Sequence, residues 1–356
     1  MSPSPLFYRL AIAATLLAVC VVVLGAYVRL SHAGLGCPDW PGCYGQLLVP
    51  SEEAAAEANA AYPERPLDVP KAWKEMAHRY LAGGLGFIIL AIAILAWRNR
   101  DRPGQALGAP IFLLLLVIGQ AALGMWTVTL LLQPTVVLAH LIGGLATLSL
   151  CFWLALRHAG ATATTSPLPR AKPWVLLGLA ILIGQISLGG WTSTNYAALA
   201  CPDFPTCHGQ WLPEYADFDE GFVLWRELGI DYEGGRLSGE ARVAIHFAHR
   251  VGAVVAFLYI GALSFAILLT APTAGLRWIA GGNLVLLGAQ VMLGIGNIVL
   301  GLPLAVAVAH NGVAALLLLS FVAYIHALWP MRASTPKLAP DYADNDFLPE
   351  PNEGMQ

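Results

Sequence analysis

Long apolar runs alternate with short polar breaks along most of this chain. Eight runs are long enough to cross a hydrocarbon core, which takes about 20 helical residues. They predict helices over 10–31, 75–97, 108–131, 135–157, 173–193, 243–270, 275–300 and 303–328. Two long hydrophilic connections interrupt the series, at 32–74 and 194–242. The first run is too long for a signal-peptide core and lacks a small-residue cleavage site, so it is read as a retained helix. The pattern predicts an all-α polytopic membrane protein.

Composition agrees. Of the 356 residues, 57% are hydrophobic and only 12% charged, against about 25% charged in soluble domains. The net charge of −3, with no basic run, argues against a nucleic-acid partner and leaves membrane lipid as the surroundings. Basic residues set the orientation. With the N-terminus inside, Arg9, Arg98, Arg100, Arg102, Arg157, Arg170, Lys172, Arg277, Arg332 and Lys337 fall on the inner side. Both long loops then lie outside, and both termini are cytoplasmic in a bacterial-type inner membrane.

The chain also repeats itself. Leu24-Gly25 before Cys37-Pro-Asp-Trp-Pro-Gly-Cys43 returns as Leu188-Gly189 before Cys201-Pro-Asp-Phe-Pro-Thr-Cys207. His78-Arg79 returns as His249-Arg250, Gln120 to Gly124 as Gln290 to Gly294, and His140 as His310. A nearly constant offset over so many motifs implies two tandem four-helix bundles, related by a pseudo-twofold axis along the membrane normal. The implied division is an N-terminal half at 1–157, a linker at 158–172, a C-terminal half at 173–330 and a disordered cytoplasmic tail at 331–356.

The polar cluster Glu75-Met-Ala-His78-Arg79 is expensive to bury at the mouth of a membrane helix. Its expected place is the outer start of the second span, and His140 lies at a similar outer-leaflet depth in the fourth. His249 and His310 match them in the sixth and eighth. Two imidazoles facing each other inside a helix bundle suit bis-His haem ligation. A single buried histidine is usually a hydrogen-bonded core residue, but four repeating in register make that reading weak. Zinc wants four close N/S ligands, which neither half supplies at one depth. Arg79 and Arg250 stand where haem propionates could be paired, or where they could snorkel to the interface. His32, His158, His208 and His326 lack a repeat partner and read as incidental. Cys20 and Cys151 read as small core hydrophobes.

The pairs Cys37/Cys43 and Cys201/Cys207 fall in the outer loops, where disulfides persist. They could hold a lid over each pocket, act as redox pairs, or bind zinc across the two loops. The repeat breaks at Glu75, which aligns with His246. An acid one turn from one candidate ligand, and none in the other half, suggests that one pocket does chemistry and the other carries electrons. Glu75 as a helix-start cap is the plainer reading. In the second half either His246 or His249 could ligate, and register favours His249.

Gly25-Ala-Tyr-Val-Arg29-Leu-Ser, Gly34-Leu-Gly-Cys-Pro-Asp-Trp-Pro-Gly-Cys43 and Glu75-Met-Ala-His78-Arg79 closely resemble the haem A synthase family, and the resemblance covers nearly the whole chain. It implies conversion of haem O to haem A for cytochrome oxidase, by oxidation of the C8 methyl to a formyl group. It further implies that His78 and His140 bracket the substrate haem O and that His249 and His310 ligate a haem b cofactor. Glu75 matches the family's essential carboxylate, and the cysteines match disulfides Cys37–Cys43 and Cys201–Cys207. Molecular oxygen and an electron donor are implied as well. His32 departs from the small residue expected there. Delivery by a haem O synthase, contact with oxidase assembly factors and homo-oligomerisation are open partners. The competing readings are a bis-His di-haem electron-transfer protein, which has no use for Glu75, and a haem chaperone, which has no use for a firm second ligand pair.

Overall fold

A computed structural model describes residues 5–101, 107–159 and 166–329. It is helical throughout its long elements, with eight helices long and apolar enough to cross a membrane. In chain order they are α1 (Pro5–Leu30), α2 (Val69–Arg98), α3 (Gly108–Thr129), α4 (Pro134–His158), α5 (Lys172–Thr194), α6 (Gly239–Thr270), α7 (Ala274–Val299) and α8 (Leu304–Leu328). Large apolar side chains such as Leu16, Phe87, Val285 and Met292 are exposed on their outer faces. Lipid tails solvate such faces, so burial inside the bundle is not needed to keep them there. The chain is a multi-pass membrane protein.

Three helix starts lie further upstream than the apolar runs suggest: α1 at Pro5, and α2 and α6, whose starts are capped. α2 begins at Val69, where Asp68 accepts from the Lys71 N–H at 3.0 Å and Pro70 occupies the first turn. α6 begins at Gly239, capped by the Ser238 hydroxyl, which accepts from the Ala241 N–H at 3.1 Å. Capping side chains satisfy the free N–H groups of a first turn, and they extend both helices into polar sequence that hydropathy does not register. Glu75 is therefore well inside α2, and Asp68 is the cap instead. Elsewhere the boundaries fall close to expectation; Pro134 opens α4 at its first position, behind a Gln133 cap.

α1 packs on α2 and α4, and α3 on α2 and α4. The later four repeat this arrangement, with α5 on α6 and α8, and α7 on α6 and α8. Contact between the groups runs through α1 with α8, α4 with α8, and α4 with α5. One apolar core continues across both, including Ile89, Ile92, Leu113, Leu148, Ile260, Phe321 and Tyr324. Cys151 belongs to that core, but Cys20 is exposed on α1, which corrects its reading as a core residue. A methyl-sized thiol costs nothing against lipid.

The two long connections gather at one end. The first carries a short helix, Ala55–Ala61. Arg65 in this loop pairs with Asp231 at 2.5 Å and Glu233 at 2.7 Å in the second. The Tyr232 N–H donates to the Leu131 carbonyl at 3.0 Å, so the second loop also rests on the α3–α4 turn. Of the expected linker, Pro169–Ala171 forms a helical turn leading into α5. Positions 160–165 and the expected disordered tail at 331–356 lie outside the described residues.

Candidate functional site

Each of the four repeated histidines lies against a glycine of a neighbouring helix. His78 rests on Gly25 of α1, His140 on Gly124 of α3, His249 on Gly189 of α5 and His310 on Gly294 of α7. A Cβ at these glycines would stand 3.0, 3.4, 3.1 and 3.2 Å from the ring Cε1. The repeated Leu-Gly motifs are thus the floors on which the rings sit, small because helix and imidazole approach closely. α1 and α3, which carry the floors of His78 and His140, both pack on the helices that carry those two histidines, and α5 and α7 do the same for His249 and His310. The fold therefore brings the histidines together as two pairs, each pair drawn from one four-helix group.

The sites fit a metal that brings its own ligand plane. Among the described residues no group of three or more His, Cys, Asp or Glu could hold a bare ion. Both cysteine pairs are closed as disulfides, Cys37–Cys43 and Cys201–Cys207, which leaves no thiolates there for zinc. Buried polar atoms are nearly always partnered, yet several at these two sites are not. They include Nδ1 of His78, His140 and His310, and Oε1 of Gln120, Gln185 and Gln290. Glycine floors, and imidazoles of which three keep an unpartnered Nδ1, suit a flat tetrapyrrole held between histidines.

Glu75 and Arg79 tie the first cysteine loop to α2. Glu75 is 5% exposed. Its Oε2 accepts from the Cys37 N–H at 3.0 Å, and its Oε1 from Arg79 Nη2 at 2.5 Å. Arg79 Nη1 donates to the carbonyls of Asp39 at 2.9 Å and Gly42 at 2.5 Å. The second group copies this with different chemistry. His246 Nδ1 accepts from the Cys201 N–H at 3.1 Å. A neutral imidazole has one acceptor nitrogen, so the 3.4 Å approach of Arg250 Nε to His246 Nε2 is a contact and not a hydrogen bond. Arg250 donates from Nη1 to the carbonyls of Asp203 at 2.8 Å and Thr206 at 2.7 Å, and from Nη2 to Cys201 at 2.6 Å. The expected propionate partners Arg79 and Arg250 have their donors turned to the loops.

Inside each loop the aspartate of the Cys-Pro-Asp motif is the organiser. Asp39 accepts from the N–H groups of Tyr44 at 2.7 Å and Gly45 at 2.8 Å. Asp203 accepts likewise from His208 at 2.5 Å and Gly209 at 2.9 Å, and from the Thr206 hydroxyl. The Thr206 hydroxyl first, and the Gly209 N–H next, hold the Asp203 carboxyl well below the usual carboxylate range.

Sequence reading missed the glutamines and the buried amide of α7. Gln185 Nε2 stands 3.0 Å from His249 Nδ1 and also donates to the His249 carbonyl. Its counterpart in α1 is Val21. Gln290 Nε2 stands 3.2 Å from His310 Nε2. Its counterpart Gln120 instead lies against Gly143, leaving no room there for a Cβ. Deeper in the second group, Ser264 donates to Asn283 at 3.1 Å, Asn283 to Ser320 at 2.6 Å and Tyr324 to Ser264 at 3.3 Å. The matching first-group positions are Ala93, Leu113, Leu150 and Leu154, all apolar. A polar residue inside an apolar span, present in one repeat and absent from the other, was the available signal. The histidines outside the pairs each have their own neighbour: His32 stacks on Tyr196, His158 packs tilted against Phe7, His326 meets Trp153 edge-on, and His208 contacts the Ala200 carbonyl.

Over the described residues, eight helices long and apolar enough to span a membrane, with two histidine pairs among them, define an all-helical, multi-pass membrane protein. A family model described as cytochrome oxidase assembly protein, COX15-CtaA, matches residues 8–322, and the chain belongs to that family. It is 44% identical over 321 residues to the Heme A synthase of Shewanella oneidensis, covering 89% of this chain and 95% of that protein. The Heme A synthase of Sphingopyxis alaskensis is 30% identical, with 91% and 92% covered. That of Halalkalibacterium halodurans is 27% identical, with 82% and 87% covered.

Proposed function

We propose that this membrane protein is an oxidoreductase that converts haem O to haem A for cytochrome oxidase, oxidising the C8 methyl to a formyl group. Family membership and relatives carrying the name Heme A synthase support the reaction. The observation that divides the labour is Glu75: a buried carboxylate one helical turn from His78, replaced by His246 at the matching position. The first pair, His78 and His140, is assigned to the substrate haem O. The second, His249 and His310, is assigned to haem b. His246 is already engaged by the Cys201 N–H, which supports His249 over it as the ligand.

Bound haem b supplies one-electron redox chemistry; molecular oxygen and an electron donor complete the reaction. The protein's own part is positional and protonic. The four histidines hold two flat groups at the same end of the bundle. Glu75 offers an acceptor and a proton site beside the first pair, inside a pocket from which the Cys37–Cys43 loop excludes water. Arg79 and Arg250 keep the loops closed over the pockets, and a direct propionate contact from either would compete with those carbonyls. The halves are assigned as 1–157 and 173–330, related by a pseudo-twofold axis. That axis is supported by two contacts between matched positions: Arg29 Nη2 donates to the carbonyl of its counterpart Ser193 at 2.7 Å, and His32 stacks on its counterpart Tyr196. The loop end faces the outside and the termini the cytoplasm, from the positive residues of the short connections.

Haem typing tests this directly. Pigment extracted from the purified protein should separate on chromatography into haem b with haem O and haem A. Haem b alone would overturn the synthase reading. Glu75→Ala should retain haem b and make no haem A; a variant forming haem A at the wild-type rate removes Glu75 from the chemistry.

A further inference from the structure

Arg29 is a cation at the junction of the two histidine sites, and neither the family resemblance nor the repeat assigned it work. It lies one turn beyond Gly25 on α1, so it shares a helix face with the floor of His78. Its Nη2 crosses to the Ser193 carbonyl on α5, one turn beyond Gly189, the floor of His249. Its guanidinium carbon stands 4.2 Å from the ring centre of Tyr196. The buried Nε has no partner, and neither does the buried Tyr196 hydroxyl. Arg79 and Arg250 differ from it: they point to the cysteine loops, and their donors are taken by loop carbonyls and, for Arg79, by Glu75.

Resting on the haem reading above, we propose that Arg29, with the Tyr196 hydroxyl beside it, binds a propionate carboxylate of a bound haem at the junction between the two pockets. A guanidinium offers five N–H donors in a fixed fork that matches a carboxylate, and stacking on an aromatic ring holds the fork in place. The Ser193 contact uses one donor and leaves the others free. Burial strengthens the pairing, since a free Nε in that environment lacks a hydrogen bond that water would otherwise make. The pairing places a positioning residue on the line between the substrate and cofactor pockets. It also ties the bound carboxylate to both groups, because the Arg29 backbone belongs to one and Tyr196 to the other.

The test compares the acid and the dimethyl ester of one haem, which differ only in the carboxylates. Haem O and haem O dimethyl ester are titrated into the full-length purified protein carrying its haem b, followed by the Soret band. The wild type should bind the acid at least about tenfold more tightly than the ester. Arg29→Met should erase that preference by weakening the acid alone, while Arg29→Lys, which keeps the charge, should retain part of it. In the same samples the haem b midpoint potential is read. A fall in Arg29→Met without loss of acid preference places the carboxylate on the second-pocket haem and still supports the proposal. Equal weakening of acid and ester, with an unmoved haem b midpoint, overturns it and leaves Arg29 a structural tie. Wild-type protein that takes up no haem of either form defeats the underlying haem reading, and Arg29's role with it.

Discussion

Glu75 and His246 occupy matching positions and do the same mechanical work. Each accepts the N–H of the first cysteine in its loop, and each stands one turn before an arginine that holds the rest of that loop. If anchoring were the whole task, one residue type would serve both sites. An imidazole serves the second, so what the carboxylate adds in the first is its pairing with Arg79 and an acid–base group, neither of which the shared Cys N–H anchor requires. That addition is where a chemical role belongs. The deeper difference runs the other way. The second group carries Gln185 beside His249 and the Ser264–Asn283–Ser320–Tyr324 network beneath, while the first has Val21 and an apolar interior at the same positions. Hydrogen-bonded networks specify one helix arrangement more sharply than apolar contacts do. The second group is therefore tied to one geometry and the first is left free of such ties, the difference expected if, as proposed above, the second retains its ligand and the first exchanges it.

Glu75→His breaks the comparison most sharply, because it installs the second group's anchor in the first. The Cys37 loop should stay closed, visible as unchanged protection of its amides in hydrogen exchange. Haem A formation should fall at least about a hundredfold, the scale of a lost acid–base group. Activity near wild type would mean that Glu75 anchors and does nothing more.

The ligand assignment comes next. His249→Leu should remove haem b and activity together, read from the reduced absorption spectrum. His246→Leu should keep haem b and loosen the Cys201–Cys207 loop. The reverse pattern would exchange the two roles.

Asn283→Leu installs the first group's residue in the second. It leaves the buried Ser264 and the half-buried Ser320 hydroxyls without their shared partner and should cost about 1–2 kcal/mol. Thermal unfolding in detergent should show it as a lower midpoint. Replacing Ser264, Asn283, Ser320 and Tyr324 together by Ala, Leu, Leu and Phe should recover most of the loss, since the Tyr324 hydroxyl goes with its acceptor and no member of the network is stranded.

The smallest effect concerns Asp203. Its carboxyl is depressed in the folded loop by Thr206 and the Gly209 N–H, so its ionised form stabilises the loop. That contribution is complete above the ordinary carboxylate value of about 3.9 and is lost as pH falls through the lowered folded one. Protection factors for the amides of 201–210 should fall in strong acid and hold steady between pH 5 and 8. Asp203→Asn should remove most of that acid dependence.

What the sequence by itself determined is what depends on local composition and on register. Eight apolar runs of spanning length allow one class of fold, because a bilayer leaves backbone groups no partner except within a helix. The repeat matched His78 with His249 and His140 with His310, and it isolated Glu75 as the position where the copies part. Tertiary structure decided where the hydrogen bonds go. Glu75 reaches Cys37 across 38 residues of chain, and Arg29 reaches Ser193 across 164. Nothing local distinguishes an arginine aimed at its own loop, as Arg79 and Arg250 are, from one aimed between two pockets. The helix starts at Val69 and Gly239 escaped for a related reason: caps satisfy backbone groups in polar sequence, where hydropathy has no signal. A side chain's polarity is written in its own residue, but its direction is set by the elements packed around it.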